Sequence, residues 1–166
     1  IESYNRAIEI KPDYVEAHSN LGNALKQSSY LRTAIQNYNK AITIKKDFAE
    51  AHYNLGIALL ESGDSRGAIE SCTQAIKIKP DYAEAHSLLG EALQETDDLK
   101  ASIASYNRAL AIKPGYTFAR SHKLRQQALI CDWKAIEQDR DLIPGLGIST
   151  DFVTPFAMLY LEDHPA

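Results

Sequence analysis

A 34-residue period constrains this chain more than any other feature of its 166 residues. Three stretches stand in register: VEAHSNLGNALKQSSYLRTAIQNYNKAITIKK, AEAHYNLGIALLESGDSRGAIESCTQAIKIKP and AEAHSLLGEALQETDDLKASIASYNRALAIKP, beginning at Val15, Ala49 and Ala83. A supersecondary unit of this length cannot bury its apolar face alone and stacks on copies of itself, so the chain is expected to be a solenoid. Within each unit apolar residues recur at helical spacing on both sides of a polar break, at 27–30, 62–65 and 96–98. Two helices per unit follow. Gly22, Gly56 and Gly90 fall inside the first helix, where glycine costs about 1 kcal/mol against alanine. Close approach of a neighbouring helix is expected to offset that cost, with Ala34, Ala68 and Ser102, then Ala41, Ala75 and Ala109, as the small residues opposite.

The unit boundaries read as cap chemistry. Asp13, Asp47 and Asp81 precede helices and have Glu16, Glu50 and Glu84 three positions on, the arrangement of a capping box. Pro12, Pro80 and Pro114 end the preceding helices, with Lys46 at the one junction that lacks proline. At the last junction Gly115 and Phe118 replace the aspartate and glutamate, and the array is expected to weaken there.

Composition excludes several classes. The chain is 45% hydrophobic and 24% charged with a net charge of -4, which suits a soluble globular protein and not a disordered one. No basic stripe with interleaved aromatics is present, so nucleic acid is not an expected partner. No apolar run is long enough to span a bilayer, and no membrane role is expected. Two cysteines, Cys72 and Cys131, make no disulfide framework, and a reducing, cytoplasmic setting fits them. Cys72 lies on an apolar stripe as a buried small hydrophobe. His18, His52 and His86 share one repeat position, but stacked helices about 8–10 Å apart cannot bring two of them to one metal, so they read as packing residues with a ring nitrogen hydrogen-bonded. No metal site, cofactor or catalytic group is expected. Pro144–Gly147 reads as a linker. Ile1 opens in mid-pattern, as if cut from a longer protein, and Tyr4, Ala7 and Ile8 present an apolar stripe expected to favour self-association through the amino-terminal end.

The spacing of Leu21, Gly22, Ala34, Tyr38 and Ala41, with its copies, resembles the tetratricopeptide repeat, departing from it in the three histidines. The resemblance implies an all-α, right-handed superhelical solenoid of antiparallel helix pairs. It covers residues 1–130: 1–14 as a second helix, 15–48, 49–82 and 83–116 as full repeats, and 117–130 as the first helix of a degenerate one. Residues 131–166 are then a capping helix and linker. The resemblance also implies that the first helices line a concave, protein- or peptide-binding face carrying Asn20, Asn23 and Lys26, then Tyr53, Asn54 and Ile57, then Ser87, Leu88 and Glu91. Asparagine amides both donate and accept, so Asn20 and Asn54 could hold a peptide backbone, or could equally belong to a solvated face. Glu16, Glu50, Glu84, Glu91 and Glu95 make the face acidic and favour neutral or basic segments.

Cys131-Asp132-Trp133 interrupts the rhythm. With the Thr154-Pro155-Phe156 segment downstream, it resembles the junction at which O-linked N-acetylglucosamine transferases and their SPINDLY-like relatives pass from repeats to a catalytic region. That resemblance implies a substrate-recruiting fragment whose nucleotide sugar would belong to a catalytic part outside this chain. The alternative is a free-standing adaptor with a capping tail.

Overall fold

The computed structural model describes residues 1–138, and the segment from Pro144 onward, with Thr154 and its neighbours, lies outside the described residues. Among these, every regular element is a helix: α1 (Glu2–Ile10), α2 (Val15–Gln27), α3 (Leu31–Ile44), α4 (Ala49–Glu61), α5 (Ser65–Ile78), α6 (Ala83–Glu95), α7 (Leu99–Ile112), α8 (Thr117–Leu129) and α9 (Trp133–Gln138). The helices pair within units as α2 with α3, α4 with α5 and α6 with α7, and each pair packs on the next. None is long and apolar enough to cross a membrane.

The mid-helix glycines bring the two helices of a unit together. A Cβ on Gly22 would lie 2.6 Å from Cε1 of Tyr38, and one on Gly90 would lie 2.9 Å from Cε1 of Tyr106. Both rings are fully buried. In the middle unit Cys72 holds the tyrosine's place, with Sγ 3.0 Å from the corresponding point on Gly56, and Leu88 of the next unit closes in to 3.3 Å. Around these contacts Ala34, Tyr38, Leu55 and Ala58 form one core cluster, and Tyr106, Ala109 and Ala119 another. At the amino-terminal end α1 buries none of its residues fully, although Tyr4 and Ala7 stand where Tyr38 and Ala41 are wholly enclosed.

The capping boxes do not form. Tyr14, Phe48 and Tyr82 occupy the N-cap positions of α2, α4 and α6 and make no side-chain cap bond, so Asp13, Asp47 and Asp81 sit one residue too early. Aspartate caps stand instead on second helices: Asp64 accepts from Gly67 N at 2.9 Å and Asp98 from Ala101 N at 3.1 Å. The aromatic N-caps have another use. At four successive junctions a lysine that ends a second helix lies over the aromatic that opens the next first helix, Lys11 over Tyr14, Lys45 over Phe48, Lys79 over Tyr82 and Lys113 over Tyr116, at 4.7–5.7 Å. Such cation–π contacts contribute about 0.5–1 kcal/mol at exposed sites.

The histidines tie the same junctions down. Nε2 of His18 donates to the carbonyl of Pro12 at 2.9 Å, His52 to Lys46 at 3.1 Å and His86 to Pro80 at 3.0 Å. A carbonyl only accepts, so Nε2 carries the proton in each. Arg120, at the fourth copy of the position, donates to Pro114 at 2.6 Å.

The rhythm continues through Cys131. Ser29, Gly63, Asp97 and Cys131 stand 34 residues apart, and all four have positive φ, from 55° to 86°. The residue after each donates its N–H five residues back, Tyr30 to Leu25, Asp64 to Leu59, Asp98 to Leu93 and Asp132 to Gln127, at 2.8–3.0 Å. This left-handed turn closes the carboxyl end of a helix. Asp132 then takes the place of Asp64 and Asp98 and accepts from Ala135 N at 3.3 Å. The division drawn from sequence between residues 130 and 131 thus falls inside a repeat turn, and α9 stands where the earlier second helices stand.

Candidate functional site

The first helices α4, α6 and α8 face one another across a groove of about 660 Å³. Ile57 and Leu60 of α4 and Leu88 of α6 supply its apolar floor. Tyr53, Tyr116 and Phe118 supply aromatic walls, and Glu61, Glu91 and Glu95 supply charge. Helical spacing produces this: Tyr53, Ile57 and Leu60 recur at four and three residues along α4, and Ser87, Glu91 and Glu95 at four and four along α6.

Packing sets the aromatics. The Tyr53 ring lies 5.0 Å from that of Tyr82 at 43°, and the Tyr82 ring lies under the Lys79 ammonium. Burial above all, with the neighbouring Glu84 and Glu91 carboxylates adding to it, pushes the Tyr53 phenol up to about 12, so it remains a neutral hydroxyl. Phe118 stacks on His122 at 4.0 Å, while Nδ1 of His122 donates to the Phe118 carbonyl at 3.0 Å. Burial also raises the Glu91 carboxyl above the usual carboxylate value. Glu95 adds to that, and His122 opposes it. Burial and the nearby Glu91 push the Cys72 thiol up to about 12, which leaves it an unreactive core group. The Ser87 hydroxyl lines the groove, is 1% exposed, and has no hydrogen-bond partner among the described residues.

Of the residues singled out from sequence, the fold brings Tyr53, Ile57, Ser87, Leu88 and Glu91 together in this groove. Asn20 is exposed and Asn54 half-buried, and neither lines it. Asn23 and Lys26 are engaged within the chain: Asn23 Oδ1 accepts from the Tyr38 hydroxyl at 2.8 Å, and the Lys26 ammonium pairs with Glu61 at 2.9 Å. Cys131 and Asp132 are exposed in the fourth turn, and Trp133 is the first residue of α9. Sequence reading missed Tyr116 and Phe118. The recurring Lys-x-x-aromatic at 11–14, 45–48, 79–82 and 113–116 was the signal that could have found Tyr116.

A TPR repeat family model matches residues 1–29 and 31–63, and a second tetratricopeptide repeat model matches 53–117. Among solved structures, the chain is similar to MamA, at TM-score 0.74 and 24% identity over 83% of this chain and 78% of that one. A MamA RS-1 double mutant gives TM-score 0.80 and 20% identity over 89% and 83%. The first TPR domain of Spaghetti, solved with the HSP90 peptide SRMEEVD, gives TM-score 0.70 and 19% identity over 70% and 93%. No protein of curated function matches the chain in sequence. These likenesses agree with the packing of α1–α8 in giving an all-α solenoid of stacked helix pairs, and the chain belongs to the tetratricopeptide repeat family.

Proposed function

We propose that the array is a non-catalytic interaction module that holds an extended segment of a partner protein in the groove between α4, α6 and α8. The observation that carries this reading is the groove itself, an apolar floor between aromatic walls, built from the faces that successive first helices turn toward one another. Apolar and aromatic linings of this kind supply affinity, and a few polar groups fix orientation. The peptide bound to the Spaghetti domain, SRMEEVD, is acidic at its end. Here Glu61, Glu91 and Glu95 line the groove, so the ligand differs in charge.

Calorimetry with a panel of unstructured peptides tests the reading. Phe118 is 40% exposed, so Phe118→Ala leaves the fold intact and should weaken binding by about 1 kcal/mol or more. The double change Asn20→Ala, Asn54→Ala examines the other ridge. Peptides that bind wild type and Phe118→Ala equally, but lose affinity with the asparagine pair, would move the site to that ridge.

A second reading makes the array the substrate-recruiting part of an O-linked N-acetylglucosamine transferase-like protein. Its support is the Cys131-Asp132-Trp133 triplet, which the repeat's own turn and cap also account for. An open reading frame continuing past Ala166 into two nucleotide-binding lobes would support it, and an early stop codon would end it.

A further inference from the structure

The step from α2 to α4 and the step from α4 to α6 are the same step of the solenoid, one unit apart. In the first, Lys26 of α2 reaches across to Glu61 of α4 at 2.9 Å. Moved on by 34 residues, those places hold Leu60 and Glu95, both of which line the groove. The acceptor recurs and the cation does not. Neither Glu95 nor Glu91, one helical turn before it, forms an ion pair among the described residues. Among the described residues, no Lys, Arg or His lines the groove. The titratable side chain of α8 that acts on Glu91 is His122, held by the Phe118 carbonyl and ring.

One turn before Glu91 the same face of α6 carries Ser87, whose hydroxyl is enclosed and unsatisfied although it borders the groove. A buried hydroxyl without a partner costs free energy that a ligand donor or acceptor would recover. Ser87, Glu91 and Glu95 therefore form a line of acceptors along α6, and Tyr53, Tyr116 and Phe118 present aromatic faces that attract cations in the same space.

We infer that the groove between α4, α6 and α8 is a recognition pocket for the lysine or arginine side chain of an extended partner segment. The cation lies against Glu91 and Glu95 as Lys26 lies against Glu61, and the segment's apolar neighbours rest on Ile57, Leu60 and Leu88. This deepens the proposed function and rests on it.

The test uses the 166-residue chain and four pools of unstructured, end-blocked heptapeptides with neutral randomised flanks and Lys, Arg, Gln or Glu fixed at the centre. Binding is read by fluorescence polarisation at low salt. The Lys and Arg pools are expected to bind at least tenfold more tightly than the Gln pool, and the Glu pool least. Glu91→Gln with Glu95→Gln should bring the Lys and Gln pools to within about twofold of each other, in a protein whose circular-dichroism spectrum shows it still folded. Leu60→Lys, which repeats Lys26 at the next step, should abolish the Lys preference by filling the place from within. Equal binding of the Lys and Gln pools to wild type would overturn the cation pocket and leave the groove reading standing. Binding by no pool would overturn both, and a Lys preference that survives the double variant would overturn the assignment to α6.

Discussion

Asn23 and Glu91 stand at one position of the repeat, two units apart, each beside the fully buried tyrosine of its own second helix. In the first unit the Tyr38 hydroxyl donates to Asn23 at 2.8 Å. In the third, the Tyr106 hydroxyl has no partner among the described residues, and burial and the Glu91 charge together push its ionisation upward. The nearby Ser102 hydroxyl donates to the Gly90 carbonyl at 2.7 Å and partly offsets that upward push. The neighbouring position repeats the contrast, with Lys26 paired to Glu61 in one step and Leu60 beside Glu95 in the next. The packing skeleton is the same at both ends, so stability is set by glycine, alanine and the buried ring. The concave residues are then free to satisfy one another in the first unit and to remain available in the third.

The largest expected effect breaks the symmetry of the skeleton itself. Cys72→Tyr would give the middle unit the ring its neighbours have, but Leu88 already occupies that space. Overpacking should cost about 1–3 kcal/mol in urea denaturation. An unchanged or raised midpoint would mean that the middle unit is underpacked and that Leu88 can withdraw.

A smaller pair of changes separates the two tyrosines. Tyr38→Phe removes a made hydrogen bond and should cost about 0.5–1.5 kcal/mol, whereas Tyr106→Phe removes an unsatisfied hydroxyl and should cost nothing or stabilise. Equal losses would show that the third unit satisfies its phenol as the first does.

The smallest effect concerns two carboxylates on α6. The Glu84 carboxyl is held low by its own backbone N–H and by Lys113, against partial burial. It therefore contributes stability that is present above the usual carboxylate value and lost as pH falls through the lowered one. The Glu91 carboxyl is raised, so its contribution has the opposite sign: stability is greatest when it is protonated and declines as pH rises through the raised value. With both carboxyls ionised, Glu84→Gln should lower the melting temperature and Glu91→Gln should raise it, and both differences should shrink as pH falls through the two carboxyl values. Shifts of the same sign in the two variants would break the contrast along the helix.

The fold was legible because its determinants recur: the period, the paired helices and the close approach at Gly22, Gly56 and Gly90 follow from small and apolar residues in register. The turn was not, because Ser29, Gly63, Asp97 and Cys131 share a backbone conformation without sharing chemistry, and only glycine advertises positive φ. That is why Cys131 read as an interruption. The helix starts misled for a different reason, since Asp13, Asp47 and Asp81 have cap chemistry but the aromatics after them take the cap position. The part of the groove on α4 and α6 was legible only through the family resemblance, which put Tyr53, Ile57, Ser87, Leu88 and Glu91 on the concave face. Phe118 was not, because it enters from the start of α8, where the repeat pattern is weakest. Nor does a row of like residues reveal engagement, as Lys26 and Asn23 show: which concave side chains are already partnered depends on the neighbouring unit.

The bond from His18, His52, His86 or Arg120 to a carbonyl six residues earlier makes each joint of the stack self-contained. Each fastener spans a single bend, from the first helix of one unit to the last residues of the unit before it. Curvature then accumulates joint by joint, as in a chain of identical hinges, and a whole 34-residue unit could be duplicated or lost without unfastening those on either side. The length of such a molecule is an evolutionary variable that its mechanics leave open.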